Sequence, residues 1–195
     1  YATGLNDLDK ITCGLKQEVI ITENKKLPLF AKKDKIYADE DFWRKIDRNE
    51  KKSVIYHERG HITHVGRSLI IISNIFIILG TLLIALFVLE KVAFKLLAQA
   101  KINFNLIDLG FVSYSYLVGG LSFIIFHAIL RWLDETLSDA NACINNKPEH
   151  FESALKKSYS FATPKRNFLE NLEYNYLHHV PKNLRFKIIE NWRIG

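Results

Sequence analysis

No methionine occurs anywhere in the 195 residues, and the sequence starts at Tyr1, so the chain is expected to be a segment of a longer protein. Cysteine is nearly absent too. Cys13 and Cys143 lie far apart and neither belongs to a CxxC pair, so no disulfide framework is expected and the thiols are read as reduced. Internal repeats and low-complexity segments are missing, which leaves solenoid and linker architectures without support. The formal charge is +6, yet lysine and arginine are scattered and form no stripe with interleaved aromatics. That pattern argues against nucleic acid as a partner and suits attraction to an anionic bilayer face.

The most informative absence is charge in the middle of the chain. LIIISNIFIILGTLLIALFVL, residues 69–89, has no ionisable group across 21 positions, about 30 Å as a helix, which matches a hydrocarbon core. GFVSYSYLVGGLSFIIFHAIL, residues 110–130, has the same length and a single histidine, His127. Two membrane-spanning helices are predicted. Buried core helices are the alternative, disfavoured at this length and lack of charge. Gly119 and Gly120 are expected to permit close helix packing, and His127 to face the headgroups or the bundle.

The chain therefore divides into a polar region at 1–66, a membrane hairpin at 67–131 and a second polar region at 132–195. The first reads as short strand-like pieces, KQEVIIT and DKIYA, then a helical stretch from about Asp41 onward. The connector at 90–109 mixes lysines with leucines and phenylalanines, as an interfacial amphipathic piece does. The last region reads as a helical start, a loop marked by Asn145, Asn146 and Pro148, and a helical tract beyond Pro164. An even number of spans returns the chain to the side it left, so both polar regions share one compartment. Lys51, Lys52, Arg59, Arg67 and Arg131 flank the hairpin, against Lys91, Lys95 and Lys101 in the connector, a bias toward the cytoplasm.

Immediately before the first span stands YHERGHI, residues 56–62. In a helix, His57 and His61 lie one turn apart on one face, so both imidazoles can address one ion while Glu58 reaches a water bound to it. Zinc bound so keeps a position open for water and makes that water acidic, and the glutamate takes its proton. His64 shares the face and is read as a surface histidine. A third ligand is needed. RWLDETLSDANAC, residues 131–143, offers Asp134, Glu135 and Asp139 just after the second span. His61 stands about 12 Å of helix before the first span and Glu135 about 7.5 Å after the second, so an antiparallel hairpin brings them to similar heights. Spacing alone leaves Glu135 equally able to pair with Arg131 one turn back.

These residues resemble the HtpX-type membrane zinc peptidases and their kin, the CAAX prenyl endopeptidases, over most of the chain. YATG at 1–4 is similar to the family's F-A-T-G segment, the edge that lines the substrate cleft, and TCGL at 12–15 resembles its T-x-G-L. EKKSVIYHERGHI, residues 50–62, keeps Glu50, Val54, His57, Glu58 and His61 in register, and ETLSDANA resembles the family's E-x-x-A-D-x-x-A. HVPKNLR, residues 179–185, retains His179, Pro181 and Arg185. The resemblance implies one zinc ion per chain held by His57, His61 and Glu135, with Glu58 as general base. It also implies that Asp139 supports a ligand histidine, that His179 stabilises the oxyanion, and that Tyr1 and Thr3 border bound peptide. Departures are Arg59 inside the motif, Val180 in place of a proline, and an insert across 16–45, about 20 residues beyond a usual connection.

The expected fold is a mainly α membrane protein, a gluzincin-like zinc peptidase domain split by a two-helix transmembrane hairpin, with a small β edge near the N-terminus. The expected function is a multi-pass endopeptidase of the inner (cytoplasmic) membrane, its active site facing the cytoplasm, that cleaves membrane-associated proteins in quality control. Alternatives are a signalling protease that cuts one dedicated regulator, and a non-catalytic membrane scaffold that keeps the fold.

Overall fold

A computed structural model describes residues 19–22, 28–32, 35–99, 106–161 and 179–194. Among the described residues the protein is mainly helical with one small sheet, and the chain divides into two units. One comprises residues 69–131; the other is assembled from the chain before and after that stretch.

In the assembled unit, strands β1 (Val19–Thr22), β2 (Leu29–Lys32) and β3 (Lys35–Asp39) form a sheet in the order β1-β3-β2. β1 runs parallel to β3 with Val19 opposite Ile36, and β2 runs antiparallel with Leu29 opposite Ala38. Alternation along β3 turns Ile36 and Ala38 inward, both fully buried. The two strand-like pieces seen in the sequence correspond to β1 and β3. β2 was not anticipated, because LFAK is too short to show a period.

Two caps break the helical stretch expected from Asp41. Asp39 accepts from the backbone N–H groups of Asp41 and Phe42 and starts α1 (Glu40–Lys45), which ends at Ile46. Asp47 then starts α2 (Arg48–Ile62) with a reciprocal capping box: its carboxylate accepts from Glu50 N at 2.9 Å, and Glu50 Oε2 accepts from Asp47 N at 2.7 Å. Phe42, Trp43, Ile46, Val54 and Ile55 join Ile36, Ala38 and Ala154 in a core, where each large side chain contributes about 1.5–3 kcal/mol by leaving water. α2 also stops short of the apolar run. Thr63 leaves helical geometry, donates its hydroxyl to Gly60 O, and accepts from Gly66 N in the first turn of α3 (His64–Gln99).

α4 (Leu106–Asn145) ends at the Asn146–Lys147 break, and α5 (Pro148–Phe161) follows. α5 places Phe151, Ala154 and Leu155 on one stripe. Ala154 enters the first core, whereas Phe151 and Leu155 enter a second with Ala142, Cys143 and Ile189, the last from α6 (Lys182–Ile194). α6 falls within the helical tract expected beyond Pro164.

In the other unit, the middle of α3 lies against the first part of α4. Gly80 and Gly120 permit the approach: a Cβ on either would lie 2.9 Å from the other's carbonyl oxygen. His127 is buried beside Ser73, with Nδ1 2.7 Å from the hydroxyl and 3.0 Å from the carbonyl oxygen. The outward positions are apolar, among them Ile71, Ile78, Leu82, Leu89, Leu121 and Ile125, all exposed. Both helices are long and apolar enough to cross a membrane.

Candidate metal centre

α2 presents His57 and His61 one turn apart, and the last turns of α4 present Asp134, Glu135, Ser138 and Asp139 to them. The two helices approach closely because position 60 has no side chain: a Cβ there would lie 2.6 Å from Ser138 Cα. Asn141 adds a tie by donating from its amide to Tyr56 O.

The two imidazole Nε2 atoms are 3.2 Å apart. Glu135 spans them, with Oε2 3.8 Å from His57 Nε2 and Oε1 3.8 Å from His61 Nε2. Each imidazole is held from behind. His57 Nδ1 lies 2.9 Å from Asp139 Oδ1, and His61 Nδ1 lies 2.8 Å from Asp134 Oδ2 and 3.2 Å from Ser138 Oγ. An ionised carboxylate only accepts, so both Nδ1 atoms carry a proton, and both Nε2 atoms face the gap.

The guanidinium of Arg185 also reaches this gap, with Nη2 3.3 Å from His57 Nε2. Burial works against a charge on His61, but the Asp134 hydrogen bond and the charges of Glu135, Glu58 and Asp134 raise its pKa to about 9. A metal ion satisfies the same geometry. Bonds of about 2.0–2.1 Å in a tetrahedron set ligand atoms about 3.3–3.4 Å apart, near the 3.2 Å between the imidazoles and shorter than the 3.8 Å from each to Glu135. His57, His61 and Glu135 each offer a ligand atom, all within 4.8 Å of one another, so the cluster can hold a metal ion. Glu135 Oε2 is buried and accepts no hydrogen bond, and its charge is met by the Arg185 guanidinium 3.3 Å away.

Arg185 on α6 organises the carboxylates. Its Nε and Nη2 each reach an oxygen of Asp139 at 2.6 Å, and Nη2 lies 3.3 Å from Glu135 Oε2. Burial opposes the guanidinium charge, but Asp139 and Glu135 hold its pKa well above the ordinary arginine value. Phe151 stacks on His57 with ring centroids 5.4 Å apart, closing its apolar face.

The residues expected from the sequence fall as follows. His57, His61 and Glu135 converge, Glu58 is buried within electrostatic reach of His61, and Asp139 holds His57. His179 is half-buried at the edge of the cluster, with Nδ1 3.0 Å from Glu135 Oε1. Arg59 and His64 are exposed, so the arginine inside the motif displaces nothing from the core. Tyr1 and Thr3 lie outside the described residues, as do YATG and TCGL. Sequence reasoning missed the pairing of Asp134 with His61, the fork of Arg185 on Asp139, and the contact of Gly60 with Ser138. The order Asp-Glu-x-x-Ser-Asp was the visible signal for Asp134 and Ser138 alone, since positions one turn apart recur on one face.

Comparison with protein-family models, curated proteins and solved structures finds no match for this chain.

Proposed function

We propose that the chain is a zinc-dependent endopeptidase that works in the membrane, akin to the HtpX-type and CAAX prenyl peptidases, and cleaves membrane-associated proteins. The observation that carries this reading is the meeting of His57 and His61 with Glu135, supplied by the far half of the chain, around one gap sized for an ion.

When bound there, zinc keeps one position open, makes a water more acidic and polarises a carbonyl. Glu58, beside His57 in the motif, takes the proton from the attacking water and delivers it to the departing amine. Asp139 holds His57 with Nε2 forward, and Arg185 keeps the buried carboxylates ionised. His179 borders the cluster and donates a hydrogen bond to the developing oxyanion.

The membrane placement draws on the two apolar helices. Only 11% of each apolar window is buried inside the protein, whereas the core helix of a water-soluble domain would be mostly covered. A lipid bilayer is the partner that suits such a surface. We assign the polar regions to the cytoplasmic face of the inner membrane on the flanking lysines and arginines. A peptide-cleavage profile separates broad quality control from a signalling protease with one regulator.

The testing experiment is Glu58→Gln. An amide cannot accept the proton, so the variant should bind metal like the parent while cleavage falls about 10²–10⁴-fold. Cleavage at the parental rate would end the proposal.

A further inference from the structure

Resting on the metal reading above, we propose that Asp134 is a positioning residue that locks His61 in its metal-binding tautomer. One six-residue stretch of helix, Asp134 to Asp139, then supplies the third ligand and both orienting carboxylates.

Helical periodicity accounts for the arrangement. Asp134 and Ser138 are one turn apart and together address His61 Nδ1, at 2.8 and 3.2 Å. Glu135 and Asp139 form the adjacent one-turn pair, and Asp139 addresses His57 Nδ1 at 2.9 Å. Asp134 binds the ring at Nδ1, whereas Glu135 faces Nε2 of the same ring. Asp134 thus acts on the ion only through His61. It is 1% exposed, and a carboxylate so buried is tolerated where a proton donor faces it.

The consequence is a fixed proton. Neutral imidazole carries one N–H, and whichever nitrogen carries it cannot ligate. In the neutral ring, Asp134 accepting at Nδ1 leaves Nε2 to ligate, and that atom stands 3.2 Å from Nε2 of His57. A serine hydroxyl in the same place would leave the choice open, because it can donate or accept. The charge of Asp134 also strengthens His61 as a donor to a cation.

Asp134→Asn tests this on the full-length chain in detergent. The amide can turn an N–H toward Nδ1, which moves the ring proton to Nε2 and blocks ligation. Zinc affinity, measured by chelator competition, should fall about 10–100-fold, and Asp134→Glu should regain part of it. The d–d spectrum of the cobalt-loaded variant should also change, which a carboxylate of merely structural value would not produce. Zinc affinity within twofold of the parent in Asp134→Asn would overturn the assignment, while parental zinc binding itself would leave the metal reading standing. A parent that binds no zinc would overturn both. Nitrogen-15 NMR of His61 in the zinc-loaded parent needs no variant: a protonated Nδ1 is expected, and a protonated Nε2 would refute the role.

Discussion

Gly60 and Ser138 are in backbone contact, so that a single methyl group at position 60 would lie 2.6 Å from Ser138 Cα. The glycine of HERGH thus sets the distance between the helix of imidazoles and the helix of carboxylates. Gly60→Ala should force the two apart at a cost of about 1–3 kcal/mol, although alanine is the better helix former. Chemical denaturation and zinc titration of the same variant should both show the loss. Unchanged stability and zinc affinity would contradict the tight contact.

Glu50 predicts a pH dependence. Burial alone would raise its pKa, but hydrogen bonds from Lys157 at 2.7 Å, Ser153 at 2.6 Å and the Asp47 backbone bring it below the ordinary 4.5. A depressed folded-state pKa means that ionised Glu50 stabilises the fold above pH 4.5, and that this contribution fades as pH falls through the lowered value. Glu50→Gln should cost about 1–2 kcal/mol at neutral pH and flatten the decline in melting temperature below pH 4.5. Parallel melting curves for parent and variant would rule the clamp out.

Arg185→Leu should be among the most destabilising single changes. It strands Asp139, 1% exposed, with its carboxylate short of a guanidinium, and loss of one partner from such a pair costs about 3–5 kcal/mol. Arg185→Lys should recover only part, because an ammonium cannot reproduce the two-point fork. Adding Asp139→Asn to the leucine variant should restore some stability, and equilibrium unfolding of the set measures the coupling.

Much of this arrangement was legible beforehand, for reasons that differ residue by residue. The runs at 69–89 and 110–130 are visible because the absence of charge over a bilayer's thickness is a strong signal, and both lie inside the long helices found. His57 and His61 follow from helical spacing, whereas position leaves Glu135 even between ligand and partner of Arg131, and the resemblance of ETLSDANA to the family segment is what singles it out. Thr63 was not legible as a helix break, since nothing local distinguishes its hydroxyl from that of an ordinary helical threonine until Gly60 O and Gly66 N are in place. Asp134 stands in the sequence only as a candidate third ligand, and the side of the His61 ring that it meets makes it a support instead. Arg185 lies far along the chain from Asp139, and such pairs leave no periodic trace.

The hairpin makes its own prediction. A Cβ at Gly120 would lie 2.7 Å from Ile84 Cγ1 and 2.9 Å from Gly80 O, whereas one at Gly119 meets only Leu83 Cδ1 at 3.2 Å. Gly120→Val should therefore weaken the packed pair much more than Gly119→Val. Thermal unfolding in matched micelles should rank them so, and the reverse order would contradict the packing.

The central claim is a metal held jointly by the two halves of the chain, and zinc content tests it most directly. The parent, purified without chelator, should carry about one zinc per chain, and Glu135→Ala should retain well under half of that while remaining folded. A parent free of zinc, or a folded Glu135→Ala protein with the parental content, would contradict the account.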